Sequence, residues 1–145
     1  MMSVLDRAMM RFITVHDAVY QRSNGWIGHR IPFSPRMLLL RSIGAKSGAL
    51  RIHSLAYFVD GDDYLIVASN GGAPRNPAWY HNLLAHPEIE INVGRRRLSV
   101  RAQAVLPDDP DYNRLWKLCD DGNSGRYSAY QKLTTRPIPV IRLTP

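Results

Sequence analysis

The most regular pattern in the chain is a strict alternation from Glu88 to Val93. Ile89, Ile91 and Val93 fall on one side and Glu88, Glu90 and Asn92 on the other, which is the period of a strand with one buried face. After Gly94, Leu98, Val100, Ala102 and Ala104 alternate with Ser99, Arg101 and Gln103. The two segments predict a half-exposed antiparallel hairpin with Arg95, Arg96 and Arg97 in a solvated tip. Met37 to Ile43 is a short apolar run closed by Gly44, and strand-like composition resumes from Arg51 to Val59 after Ala45-Lys46-Ser47-Gly48. Asp60-Gly61-Asp62-Asp63 then turns the chain into Tyr64 to Ser69, an apolar run of the kind found in strands buried on both faces. Val140 to Leu143 supplies a sixth strand.

Helical spacing appears in four places. From Ser3 to about Gln21, Leu5, Met9, Phe12, Ile13, Val19 and Tyr20 make an apolar stripe with Arg7, Arg11 and Asp17 largely outside it. Such an amphipathic helix suits packing on the domain, on a partner subunit in a homodimer, or weakly on a membrane surface. The stretch from Ala68 to Leu83 leaves a strand, crosses Gly71-Gly72 and enters a helix, with Asn76 suited to the N-cap and Pro77 to the first helical position. Trp79 and Leu83 share one face of that helix, and His86-Pro87 stops it. Tyr112, Leu115, Trp116, Leu118 and Cys119 suggest another helix. Beyond Asn123-Ser124-Gly125, Tyr127 and Tyr130 lie three apart on a short last one. Strands joined mainly by hairpins, with helices between them, predict a mainly β fold with helices: a small, six-stranded antiparallel barrel over residues 36–145. An N-terminal helix and connector precede it over residues 1–35.

Composition narrows the setting. The chain has 145 residues, enough for one domain to bury a core without disulfides or metals. Its single cysteine, Cys119, excludes an internal disulfide and reads as a buried thiol. No apolar stretch approaches the ~20 residues of a membrane span, and Asp6, Arg7 and Arg11 interrupt any signal peptide, so cytoplasm is the expected compartment. The formal charge of +7 draws anions, whether nucleic acid, an anionic membrane or a polyanionic cofactor. The charges are dispersed and no RNA-binding motif accompanies them, which disfavours nucleic acid.

The five histidines show no metal-ligand spacing, so no metal is expected, and GxSxG, GxxxxGK[ST] and GxGxxG are all absent. What remains is a pair of glycine-bearing polar loops, each following a strand, that carry Lys46, Ser47 and Arg51 and then Ser69, Arg75 and Asn76. Backbone amides at glycines, a helix start and guanidinium groups make a phosphate or carboxylate receptor; two ordinary turns would look the same. With Trp79, Tyr127 and Tyr130 nearby in the pattern, a flat ligand with an anionic tail becomes the sharper reading.

The segments LLLRSIGAKSGALR, DGDDYLIVASNGGAPRNPAWYHNL, HPEIEINVG and YSAYQKLTTRPIPVIRL, in that order over roughly residues 36–145, resemble the deazaflavin-dependent nitroreductase family of actinobacteria. The resemblance implies a split β-barrel of the FMN-binding type and coenzyme F420, a deazaflavin (8-hydroxy-5-deazaflavin) with a phosphate and a poly-glutamyl tail. It implies that Lys46, Ser47 and Arg51 hold the tail; the pattern of the second loop itself adds Arg75 and Asn76 to the receptor. Val67, Ala68, Ser69, Asn70, Ala78, Trp79 and Asn82 would line the ring. Ser69, Tyr127 and Tyr130 would stand at the reacting end. The implied activity is hydride transfer from the reduced deazaflavin to a small-molecule electron acceptor: a quinone, an enone or a nitroaromatic. A non-catalytic deazaflavin or heme carrier and an FMN-dependent relative are the alternatives. The sequence departs from the family pattern at Ala45, where arginine is common, at Asn70, where lysine is common, and at Ser124, where the best-known nitroreductase type has a pocket tyrosine.

Overall fold

The computed structural model describes residues 35–145. The expected helix over residues 3–21 and most of its connector lie outside the described residues. Seven strands form one sheet: β1 (Met37–Ile43), β2 (Leu50–Ala56), β3 (Phe58–Asp60), β4 (Asp63–Val67), β5 (Glu88–Val93), β6 (Arg96–Val105) and β7 (Val140–Thr144). Their order across the sheet is β2-β1-β5-β6-β7-β4-β3, and every pairing is antiparallel. Among the described residues three α-helices, α1 (Ala78–Ala85), α2 (Tyr112–Gly122) and α3 (Arg126–Gln131), fill the connections. This is a split β-barrel. Among the described residues, no helix is long and apolar enough to cross a membrane.

The count of seven corrects the six expected from the sequence, and the reason is Tyr57. The segment from Arg51 to Val59 has uniform strand composition, but β2 pairs with β1 whereas β3 pairs with β4, at the opposite end of the sheet. Tyr57 sits at the break. Its N–H donates to the Arg36 carbonyl at 3.0 Å, and its ring meets Tyr64 edge-on at 5.7 Å. One residue therefore carries the chain across the gap that the open sheet leaves.

Strand β4 shows why the apolar run from Tyr64 onward has no polar face. Ile66, with Ala68 just beyond the strand, enters one core alongside Leu38, Leu40, Trp79, Leu83, Ile91 and Ile141. Leu65 and Val67 enter a second core with Phe58, Leu115, Cys119, Tyr127 and Ile138. Helix α1 covers the first core, and α2 and α3 cover the second. Each fully buried leucine or isoleucine contributes ~1.5–3 kcal/mol relative to exposure, so the sheet is held from both sides. The β5–β6 hairpin forms as predicted, with Ile89 opposite Val100 and Ile91 opposite Leu98. Its polar face is not wholly solvated: Asn92 is buried and accepts a 2.6 Å bond from Arg41 Nε.

Candidate functional site

The first loop, between β1 and β2, is a tight turn. Gly44 N–H donates to the Ala49 carbonyl at 2.8 Å, and Gly48 N–H donates to the Gly44 carbonyl at 2.9 Å. Ser47 Oγ accepts from Ala49 N–H at 3.1 Å, so this hydroxyl shapes the turn. Lys46 and Arg51 are exposed and form no ion pair with the described residues.

The second loop leaves β4 at Val67 and enters α1 at Ala78. Asn70 (φ 47°), Gly71 (φ 63°) and Gly72 (φ 83°) turn it in the left-handed region, which asparagine and glycine tolerate best. Asn70 Nδ2 donates to the Arg75 carbonyl at 3.0 Å. The side chains of Val67 and Ala68 belong to the cores. Ala68 is fully buried and its N–H donates to the Pro139 carbonyl at 3.0 Å, so it supports the loop from beneath and offers a ligand no surface of its own. Ser69 is half-buried, and its hydroxyl has no hydrogen-bond partner among the described residues. Arg75 is exposed without an ion pair there.

The expected N-cap is a correction. Pro77, not Asn76, is the capping residue, and no side chain caps α1. Asn76 Oδ1 instead accepts from Arg136 Nη1 at 2.7 Å. That guanidinium also reaches the carbonyls of Ala73 at 2.9 Å, Ser69 at 2.8 Å and Ala68 at 3.3 Å. Arg136 was not singled out from the sequence, since nothing local to TTRPIP shows that its partners lie some sixty positions away. The Arg-Pro pair at the edge of a strand was its only visible signal.

Helix α1 joins the two loops mechanically. Trp79, Tyr80, Asn82 and Leu83 are all buried, so the helix is inserted rather than laid on the surface, and Trp79 forms part of the first core. Ala78 is exposed at its start. Asn82 Oδ1 accepts from Ala45 N–H at 3.0 Å, and its Nδ2 donates to Ser42 Oγ at 3.4 Å. The helix thus starts in the second loop and grips the first with its second turn.

The last helix packs on the second loop. A Cβ added to Gly72 would stand 2.7 Å from the Tyr130 carbonyl oxygen and 3.0 Å from Leu133 Cβ. Tyr130 is half-buried, and its hydroxyl has no hydrogen-bond partner among the described residues. Tyr127 lies deeper, 5% exposed, with its ring edge-on to Phe58 at 6.0 Å and tilted against Trp116 at 6.4 Å. Burial pushes its phenol far above the ordinary range, with Cys119 and Tyr130 adding to the rise. The hydroxyl stays protonated at any physiological pH. Burial likewise raises the Cys119 thiol to about 12, consistent with an inert core cysteine.

Electrostatics separates this region from the outer face of the sheet. There a groove of about 520 Å³ is lined by Arg41, Glu88, Glu90, Arg97 and Arg101. Its cations already have partners: Arg97 bonds Glu90 at 2.8 Å and Arg101 bonds Glu88 at 2.9 Å. Lys46, Arg51 and Arg75 have none among the described residues, so an incoming anion need not displace a carboxylate. With two unpartnered hydroxyls, and at Gly71 a turn where an added Cβ would meet nothing within 4 Å, these residues fit a flat ligand with an anionic tail.

Comparison with known proteins bears on that fit. A family model described as F420H(2)-dependent quinone reductase matches residues 12–145. An F420H(2)-dependent quinone reductase of Mycobacterium tuberculosis (strain H37Rv) is 55% identical over 135 residues, 93% of this chain and 91% of that protein. The solved structure of an F420-H2-dependent reductase, FDR-A, is 32% identical with a TM-score of 0.66, covering 74% of this chain and 92% of its own. A second solved chain, described as a domain-swapped dimer, is 27% identical with a TM-score of 0.69, covering 97% and 99%.

Proposed function

The chain belongs to the F420H(2)-dependent quinone reductase family, and from that premise we propose how its own residues divide the work. The protein is an oxidoreductase that uses coenzyme F420 and passes a hydride to a quinone. Residues 36–145 form the coenzyme-binding barrel. Lys46 and Arg51 hold the anionic tail, with Ser47 keeping their turn in shape and Arg75 supplementing them in place of the cations missing at Ala45 and Asn70. The second loop, with Ala78 at the start of α1, borders the ring, Val67, Ala68 and Trp79 support it from beneath, and Asn82 acts through the first loop, which its amide holds to α1.

When bound, the reduced deazaflavin supplies the hydride. The residues then have to orient the acceptor, exclude water and deliver a proton to the acceptor oxygen. Ser69 and Tyr130 are the hydroxyls free for this. Either can donate a hydrogen bond to a quinone oxygen and polarise it as charge develops there. Tyr127 has a different part: a permanently protonated ring wedged between Phe58 and Trp116, it fixes α3, whose Tyr130 carbonyl abuts Gly72 of the second loop. The domain-swapped dimer among the structural neighbours supports a homodimer for this chain as well, to be checked by sedimentation.

The absence of carboxylate partners for Lys46, Arg51 and Arg75 among the described residues is the observation that carries this reading. Titration of the purified protein with oxidised F420, followed by fluorescence, should show saturable binding that weakens as salt is raised. In the double variant K46A/R51A each lost contact is worth up to ~1 kcal/mol, so affinity should fall roughly tenfold and the salt dependence should flatten. Unchanged affinity in the double variant would place the tail elsewhere. Binding with no turnover of a quinone panel would favour a carrier.

A further inference from the structure

The Arg136 guanidinium is bonded in an unusual way for a half-buried charge. Nε donates to the Ala73 carbonyl at 2.9 Å, Nη2 to the Ser69 carbonyl at 2.8 Å, and Nη1 to Asn76 Oδ1 at 2.7 Å and the Ala68 carbonyl at 3.3 Å. Every acceptor belongs to the second loop, and every acceptor is neutral. No carboxylate among the described residues pairs with it. Burial draws its pKa below the usual value, but an arginine stays charged at any pH the protein meets.

The side chain is anchored at its own base. Gln131 Nε2 donates to the Arg136 carbonyl at 2.8 Å, and Gln131 Oε1 accepts from Ile138 N–H at 3.0 Å. The arginine is therefore fixed to the end of α3, the helix that carries Tyr130, while its fork grips the loop that carries Ser69. The loop that carries Ser69 and the helix that carries Tyr130 are tied together through this guanidinium. A lysine could keep the charge but could not span four acceptors in a plane.

A full positive charge balanced only by dipoles leaves a positive potential at the loop it underlies. A hydroxyl on an electron-poor aromatic ring, such as the 8-hydroxyl of a deazaflavin, is an acid whose anion that potential favours. We propose that Arg136 is the positioning residue of the coenzyme loop, and that its unbalanced charge selects the ionised form of the bound coenzyme's ring hydroxyl. This rests on the F420 reading above.

Wild-type protein, R136K and R136Q are titrated with oxidised F420 by fluorescence, and the ring hydroxyl of the bound coenzyme is titrated by its visible absorbance alongside thermal melts. In the wild type the bound hydroxyl should ionise about one pH unit or more below the free coenzyme. R136K should bind about tenfold more weakly while keeping most of that shift. R136Q should bind more weakly still, with the hydroxyl titrating as in free solution, a change that loss of packing alone does not produce. A folded variant with wild-type affinity and wild-type titration overturns the proposal. If R136Q does not fold, the wild type decides the charge: equal ionisation of bound and free coenzyme overturns it, and unchanged affinity in R136K overturns the positioning role. Wild-type protein that binds no F420 overturns the functional reading itself, and this inference with it.

Discussion

The two polar loops of this barrel look alike in sequence and are built in opposite ways. Both follow a strand, both carry glycines and both present cations. The loop after β1 is closed by its own backbone, and among the described residues one side-chain bond, from Ala45 N–H to Asn82 Oδ1 at 3.0 Å, fixes it to the rest of the fold. The loop after β4 is gripped by four bonds from Arg136 and pressed by α3 at Gly72. A site for an extended, charged tail needs potential more than precision, because screened charges act over several ångströms. A site for a ring that must meet an acceptor in line needs a fixed wall. The difference in construction matches that division.

Substitutions can break the contrast, and the largest effect is expected at Gly72. Alanine there would hold φ at 83° and drive its Cβ to 2.7 Å from a backbone oxygen. The cost is on the order of 3 kcal/mol, seen as a melting temperature lowered by roughly 10 °C and near-complete loss of coenzyme binding. Asn82→Ala comes next. It strands the Ala45 N–H and leaves Ser42 Oγ only its 3.5 Å bond to the Arg51 carbonyl, at about 1–3 kcal/mol, and because it releases only the first loop it should weaken binding of F420 more than of a deazaflavin lacking the tail. Gly48→Ala should be the mildest. Its φ is also positive, 69°, but an added Cβ meets nothing within 4 Å, so about 1 kcal/mol of backbone strain should leave coenzyme affinity unchanged in a titration. Equal losses from Gly72→Ala and Gly48→Ala would erase the distinction between the loops.

Much of the framework was legible because it is local. The alternation in β5 and β6 marked the hairpin and its two faces, and the two-sided apolar run marked β4. The strand break at Tyr57 was not legible: nothing in the composition between Arg51 and Val59 marks a change of pairing partner, which is decided by how the sheet closes. The same holds at the site. Lys46, Arg51 and Ser69 stood out because their surroundings in sequence are polar turns. Asn76 was misassigned as a cap because a guanidinium distant in sequence takes its side chain, and Arg136 was missed because its partners are mostly backbone carbonyls, which carry no residue identity. The position of Asn82 in the sequence does not show that its amide joins the first loop to α1. Long-range polar ties to the backbone are what a single sequence hides.

The central claim is that the first loop acts by charge and the second by shape. The most direct measurement is the salt dependence of binding for two ligands of wild-type protein, F420 and the same deazaflavin without its phosphate and poly-glutamyl tail. The account predicts that F420 affinity falls steeply with salt and that the tail-free ring binds more weakly but almost independently of salt. Equal salt slopes for the two ligands would contradict it.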